Sequence, residues 1–232
     1  MTPAMKEAGW KYGHRSQVIL DGTFGVCNKK ILLFIMMGVD ELNRRVPLAL
    51  FLFSAPSDNK RKSAGYNTEV LERLLQKWKE AMGTRNGEAF LPKVAITDTD
   101  MVERGALLKV FPDIWLLICK FHIRQSWKNH CNTHTRGNTG VHTQVKARLR
   151  AVENVLIESH DHVAAKKIVE DEREILQRQR ETELNLTAKE RAALEGAEEH
   201  LRYLNEYWLW EGLWQNWSLY GWQQGWDATL TP

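Results

Sequence analysis

In the stretch Val18-Ile19-Leu20-Asp21-Gly22-Thr23-Phe24, an acidic residue directly follows a run of three apolar ones. Such a run predicts a short buried strand that ends at Asp21. Apolar runs at residues 31–37 and 46–53 predict two further strands, with a turn at residues 40–44 between them. Three consecutive strands with short connections indicate an antiparallel meander.

Helices and strands alternate after this meander. Apolar spacing in residues 69–82 predicts a helix, and Lys93–Thr97 predicts a fourth strand that ends at Asp98. Residues 103–110 predict a second helix, and residues 115–119 a fifth strand. The order β-β-β-α-β-α-β predicts an α/β fold, a mixed sheet with helices on its faces. This order resembles that of ribonuclease H-like domains.

The second half of the chain has a helical period throughout. An apolar stripe predicts a helix through Val141, Val145, Leu149, Val152 and Leu156. Residues 170–183 carry mixed charges, which is typical of a solvated helix. Thr187 and Glu190 have the spacing of a capping box that opens another helix.

The change of texture divides the chain into three parts. We expect an N-terminal extension at residues 1–17, a ribonuclease H-like core at residues 18–130, and an all-helical insertion at residues 131–232.

Composition narrows the functional classes. The 232 residues carry 32 Lys+Arg against 29 Asp+Glu, a net charge of +3, which is weak support for a nucleic-acid partner. Three cysteines and no signal-like leader favour an intracellular protein. The longest apolar run, residues 31–39, is too short to span a bilayer, so we expect no membrane association.

Asp21 and Asp98 are the candidate catalytic residues and metal ligands. If the first and fourth strands are neighbours, both carboxylates emerge at the same edge of the sheet. Hard cations such as Mg²⁺ prefer oxygen ligands, and a pair of such ions can activate a nucleophile and stabilise a leaving oxygen. The alternative is that each Asp caps a turn or a helix, and residues 97–100 fit an N-cap well. Asp100 or Glu103 could also supply a carboxylate near this edge.

Three motifs in order resemble those of Mutator-like element (MULE) transposases, over about residues 18–130. They are Asp21-Gly22-Thr23-Phe24, Ile96-Thr97-Asp98 followed by a helix and Val110-Phe111-Pro112, and Cys119-Lys120-Phe121-His122. The resemblance implies a DDE-type nuclease and strand-transfer fold that cuts and joins transposon ends with Mg²⁺ or Mn²⁺. It makes Asp21 and Asp98 the first two metal-binding acids and sets Cys119 and His122 beside the site. The resemblance implies DNA as the partner and the nucleus as the location, and it leaves a homo-oligomer as one possible assembly.

The same resemblance implies a third acid after a helical insertion. Residues 207–221 are similar to the fungal members of the family just before their final motif, which carries Thr-Asn and then Glu on a helix that returns to the active site. No such motif follows here, and Asp227, Glu211 and Glu206 do not match it. We therefore identify no third acid and expect a truncated domain that is inactive alone.

Two alternatives belong to other functional classes. Cys119, His122, Cys131 and His134 form two Cys-x-x-His pairs, and Cys₂His₂ is a good zinc set, although zinc fingers usually separate the pairs by more residues. The other alternative is a domesticated DNA-binding or interaction scaffold. Its phosphate contacts would come from basic residues that are equally good solvated surface: Lys60, Arg61, Lys62, Lys146, Arg148, Arg150, Lys166 and Lys167.

An aromatic stripe lies near the C-terminus. Tyr203, Tyr207, Trp210, Trp214 and Trp217 recur at steps of four and three, which predicts one helix face. The stripe is either a platform on which bases stack or a buried seam between helices, and burial is the favoured interpretation.

Overall fold

The chain forms two compact units in a computed structural model that describes residues 1–24, 31–54 and 67–230. One unit comprises residues 1–119 together with the segment that begins at Gln224, and the other comprises Lys120–Gln223. The expected domain boundary after residue 130 falls inside a helix of the second unit.

The first unit contains a five-stranded sheet, a small hairpin and three helices in its described part up to residue 119. In chain order these elements are α1 (Pro3–Tyr12), β1 (Gln17–Phe24), β2 (Ile31–Val39), β3 (Arg45–Ser54), α2 (Thr68–Met82), β4 (Thr84–Arg85), β5 (Glu88–Ala89), β6 (Val94–Thr97), α3 (Met101–Val110) and β7 (Trp115–Ile118).

The large sheet has the strand order β3-β2-β1-β6-β7. β1, β2 and β3 pair antiparallel, as the predicted meander requires, whereas β6 is parallel to both β1 and β7. The predicted mixed α/β sheet is therefore confirmed. The helix α1, ahead of the sheet, and the β4–β5 hairpin were not predicted.

The prediction that the first strand ends at Asp21 is wrong. β1 continues to Phe24, and Asp21 pairs with Ile35 of β2. The reason is the length of the partner strand: β2 offers backbone hydrogen bonds as far as Leu32, which is opposite Phe24.

The hydrophobic core lies on one face of this sheet. Alternate residues of β1, Val18 and Leu20, are buried in it, as is Ala95 of β6. Helix α2 begins at its N-cap Asn67 and covers this face with its apolar side, through Leu71, Leu75 and Trp78. Because side chains alternate along a strand, Asp21 belongs to the opposite face.

The second unit is all helical in its described residues. Its elements are α4 (Lys120–His134), α5 (Gly140–Ile157), α6 (His162–Thr182), α7 (Ala188–Tyr203), a π-helix (Leu204–Trp208), α8 (Glu211–Trp214) and the beginning of α9 (Leu219–Leu230), a helix whose later residues belong to the first unit. The predicted stripe of α5 is confirmed, since Val145, Leu149, Val152 and Leu156 are buried. The capping box of Thr187 and Glu190 is formed as predicted.

The prediction of a single aromatic helix face is wrong. The backbone leaves α-helical geometry after Tyr203, passes through the π-helix, and turns again before α8. The five aromatics therefore lie in different environments: Trp214 and Trp217 are buried, whereas Tyr207 and Trp210 are 52% and 64% exposed. A buried seam holds for only part of the stripe.

One set of predicted phosphate contacts, the basic triplet Lys60-Arg61-Lys62, falls outside the described residues. In the described ranges, no helix combines the length and the apolar character needed to cross a membrane.

Candidate active site

Asp21 lies on β1, and Asp98 directly follows β6, the parallel neighbour of β1. The register of β1 and β6 pairs Gln17 with Val94 and Ile19 with Ile96. Continued by two residues, it brings Asp21 level with Asp98. Neighbouring strands are roughly 5 Å apart, and residues in register point to the same face. If the register holds past the end of β6, the two carboxyl groups share one face of the sheet, and their convergence on one site remains a prediction.

Asp98 connects the end of β6 to the beginning of α3. Its Oδ1 accepts a hydrogen bond of 2.6 Å from the backbone N–H of Asp100. Asp100, rather than Asp98, is the N-cap of α3, because its Oδ1 accepts from the backbone N–H of Val102 at 2.7 Å. The capping alternative therefore applies to Asp100, while the turn fixes the position of the Asp98 carboxylate.

Glu103 is buried in the first turn of α3, with 1% of its surface exposed. Its carboxyl group approaches β1 at Gly22, on the core face of the sheet. Burial, and after it the negative charges of Asp98, Asp100 and Asp21, raise the pKa of Glu103 to about 9. Glu103 is consequently a neutral acid at pH 7 and lies on the other face from Asp21.

The two aligned carboxylates fit a hard divalent cation. Mg²⁺ is commonly held by one or two carboxylates and completes its shell with water or phosphate oxygens. Asp21 and Asp98 supply such a pair. Within the described part of the chain, no three His, Cys, Asp or Glu side chains are arranged around a common metal position. The site therefore offers two oxygen-donor residues.

The C-terminal segment of the first unit contacts β7. A Cβ on Gly225 would lie 2.9 Å from Trp115 Cδ1 and 3.1 Å from Leu117 Cδ1, so this face of α9 lies directly against the strand. Asp227 is two residues further along, which is roughly 200° around the helix, and it is exposed. The only acid of this segment therefore points away from the sheet.

Cys119 follows β7 immediately. Its backbone N–H donates a hydrogen bond of 2.7 Å to the carbonyl oxygen of Thr97, the residue before Asp98. Its thiol is free and half-buried. His122 lies in the first turn of α4 in the second unit; its ring packs edge-on against Phe121, and its Nδ1 is buried without a hydrogen-bond partner among the described atoms.

The structure does not bring the four candidate zinc ligands together. His122 and Cys131 lie on the same straight helix, nine residues apart, which is roughly 13 Å along the axis. The Cys131 thiol is buried, 3.7 Å from Thr135 Oγ1, while the His134 ring stacks on His130. One zinc ion reaches ligands at ~2.0–2.3 Å and so cannot hold both ends of this set.

The second unit contains a connected set of polar side chains, centred on the buried His200, that the sequence did not predict. His200 is fully buried, and its Nε2 lies 2.9 Å from Glu153 Oε1 while its Nδ1 lies 3.1 Å from His130 Nδ1. His130 in turn stacks on Tyr203 with ring centroids 3.9 Å apart. These residues come from three helices, so no local spacing could reveal them.

Comparison with known families gives one match. Residues 17–126 match the family model of the MULE transposase domain, from the first residue of β1 into α4. Asp21, Asp98, Cys119 and His122 all lie within the matched residues. No curated protein matches the chain.

Proposed function

Because residues 17–126 belong to the MULE transposase domain family, we propose that this chain binds DNA through a ribonuclease H-like core in which Asp21 and Asp98 hold a divalent cation. The observation that supports the proposal is the parallel pairing of β1 with β6, in which Ile19 lies opposite Ile96, two residues before each acid. Mg²⁺ or Mn²⁺ is the cation that this oxygen-donor pair suits.

The residues around the pair support this role. Two negative charges on neighbouring strands repel each other, and a bound cation offsets that repulsion. The hydrogen bond from the Asp100 N–H holds the Asp98 carboxylate in a fixed orientation, so little side-chain freedom is lost on binding. When bound, the cation would polarise a phosphodiester of DNA.

We propose that the chain alone does not complete strand cleavage. A DDE-type site uses three acids, and the other candidates are unsuited to the task. Asp100 is engaged as the N-cap of α3. Glu103 is neutral at pH 7 and lies on the core face, while Asp227 points away from the sheet. This favours a DNA-binding scaffold with a weak metal site as the form in which the isolated chain acts. In a eukaryotic cell its DNA substrate would lie in the nucleus.

Calorimetric titration of Mn²⁺ into the purified chain tests the metal site. We expect saturable binding that is lost in Asp21→Asn and in Asp98→Asn. Asparagine keeps an oxygen acceptor for the Asp100 N–H, so the second variant preserves the turn while removing the charge. The matched control is Asp113→Asn, which removes an exposed carboxylate from the turn between α3 and β7 of the same unit.

The outcomes separate clearly. Binding that survives in both variants, or is lost equally in the control, would refute the assignment of Asp21 and Asp98. Cleavage of a DNA duplex by the chain alone, abolished by Asp98→Asn, would refute the proposed inactivity while supporting the metal site.

A further inference from the structure

A groove in the second unit is rich in positive charge, although the chain as a whole has nearly equal numbers of basic and acidic residues. It lies between α4 and α5 and has a volume of about 300 Å³. Its lining, defined here as the basic groove, consists of Arg124, Lys128, Cys131 and Asn132 from α4 and Lys146, Arg150, Glu153 and Asn154 from α5. Four cations thus face one carboxylate.

The cations are arranged at regular helical steps. Arg124 and Lys128 are four residues apart on α4, and Lys146 and Arg150 are four apart on α5, so each pair lies on one helix face. From Arg124 to Asn132 the groove runs roughly 12 Å along the helix axis. That length covers several charges of a DNA strand, which repeat every ~3.4 Å along the duplex axis.

Two hydrogen bonds between the helices close the ends of the basic groove. Arg124 Nη1 donates to Asn154 Oδ1 at 2.7 Å, and Lys146 Nζ donates to Asn132 Oδ1 at 2.9 Å. Both acceptors are neutral amide oxygens, so the two positive charges are positioned without being neutralised. Lys128 and Arg150 lie between these cross-links in sequence, and both are exposed.

The one carboxylate in the lining is already engaged. Glu153 Oε1 lies 2.9 Å from Nε2 of the buried His200, and its side chain is only 14% exposed. Over the described ranges of the chain, none of the four cations forms an ion pair with an acidic side chain. A cleft lined mainly by one sign of charge attracts a ligand of the opposite sign, so four cations against one carboxylate favour an anionic ligand.

We propose that the basic groove binds the phosphodiester backbone of DNA, with Lys128 and Arg150 as its principal contacts. The proposal rests on the proposed function for its partner and adds a second contact surface, in the unit of the chain that does not contain Asp21 and Asp98. Contacts of this kind fix the position of a duplex without reading its sequence.

Fluorescence anisotropy with a labelled DNA duplex, over a series of salt concentrations, tests the groove. The probe variant is the double substitution Lys128→Gln and Arg150→Gln. At low salt we expect the double variant to bind duplexes of unrelated sequence at least roughly tenfold more weakly than the parent chain. The slope of log affinity against log salt concentration should become less steep by about two. The matched control is Lys167→Gln with Arg178→Gln, which removes one Lys and one Arg from exposed positions of α6.

Each remaining outcome overturns the proposal. Equal weakening in the control would show diffuse attraction rather than a groove, and so would an unchanged probe variant. Displacement of the duplex by millimolar inorganic phosphate at constant ionic strength would make the groove a small-anion site. Absence of duplex binding by the parent chain would refute the groove but not the metal site, because Mn²⁺ titration reads that site separately; the probe variant should bind Mn²⁺ like the parent.

Discussion

The Glu103 carboxyl group lies against Gly22, the residue that follows Asp21, and a Cβ built on Gly22 would be 3.1 Å from Glu103 Oε1. The same Cβ would be 2.9 Å from Phe34 Cε1. On the core face of β1, the neutral Glu103 carboxyl group and the Phe34 ring therefore fill the space beside Gly22, and only glycine leaves room for both.

Replacing Gly22 with alanine should destabilise the first unit. The added methyl group must displace Phe34 or the buried Glu103, and overpacking of this kind costs about 1–3 kcal/mol. Urea denaturation followed by fluorescence measures the change. Gly140→Ala is the control, because nothing lies within 4 Å of a Cβ at that position, and it should leave the midpoint nearly unchanged. Equal stability of the Gly22→Ala protein would contradict the close approach.

Replacing Glu103 with glutamine should stabilise the metal-free chain at high pH. Because the pKa of Glu103 is raised to about 9 in the folded state, its contribution to stability is fully present below pH ~4.5 and is lost as pH rises toward 9. Glutamine resembles the neutral acid and does not titrate. Urea titrations in chelator at pH 5 and pH 8.5 should show a gain of roughly 2–4 kcal/mol at the higher pH alone. A gain of the same size at both values would refute the raised pKa.

His130 should make the chain less stable in mild acid. Burial, and after it the neighbouring His134 and His200, lower the pKa of His130 to about 4, against an opposing effect of Glu199. Because the pKa of His130 is lower in the folded protein, the unfolded chain binds the proton more readily. The free energy of unfolding therefore falls as pH drops from 6.5 toward 4. His130→Gln should flatten this fall relative to the parent, whereas His160→Gln, at an exposed position, should not. Parallel pH profiles for all three proteins would argue against the shift.

The tryptophans of the second unit should differ sharply in their effect on stability. Trp217 is fully buried, packs edge-on against Trp127 with centroids 5.3 Å apart, and donates from Nε1 to the Trp208 carbonyl oxygen at 2.9 Å. Trp217→Phe loses this hydrogen bond and leaves a cavity, which should cost about 2–4 kcal/mol. Trp210→Phe alters a side chain that is 64% exposed and should cost less than ~0.5 kcal/mol. Similar losses of thermal stability in both would contradict these placements.

The purified chain should contain far less than one zinc ion per molecule. His122 and Cys131 are held apart by the straight helix α4, so the set of four ligands does not converge. Atomic absorption of the parent and of Cys131→Ser measures this. A stoichiometric zinc content that disappears in the variant would show that the helix rearranges around the metal.

Local patterns were enough to predict the mixed sheet. The apolar runs of β2 and β3 and the acid after β6 are visible without any partner. The condition set for the two acids, that the strands before them are neighbours, is met by the parallel pairing of β1 with β6. Strand length was harder. β1 runs three residues past Asp21 because β2 pairs with it there, and that is a property of the partner rather than of the stretch itself.

Features that depend on several helices could not be predicted. The spacing of Tyr203, Tyr207 and Trp210 suits one helix, yet the π-helix inserts an irregular turn among them. The basic groove left a partial signal, since Arg124, Lys128 and Asn132 recur every four residues. That spacing is equally common on solvated helices, and only the cross-links between α4 and α5 distinguish the two cases.

The discontinuity of the first unit has a consequence for how the chain matures. Residues 1–119 leave the ribosome more than a hundred residues before Gly225, whose helix face lies against Trp115 and Leu117. During synthesis these two apolar side chains stay uncovered by α9 until the last residues of the chain have been translated. A nascent chain halted before Gln224 would therefore present a hydrophobic strand to chaperones. A fragment expressed to isolate the sheet needs the distant segment as well, either fused to it or added as a separate peptide.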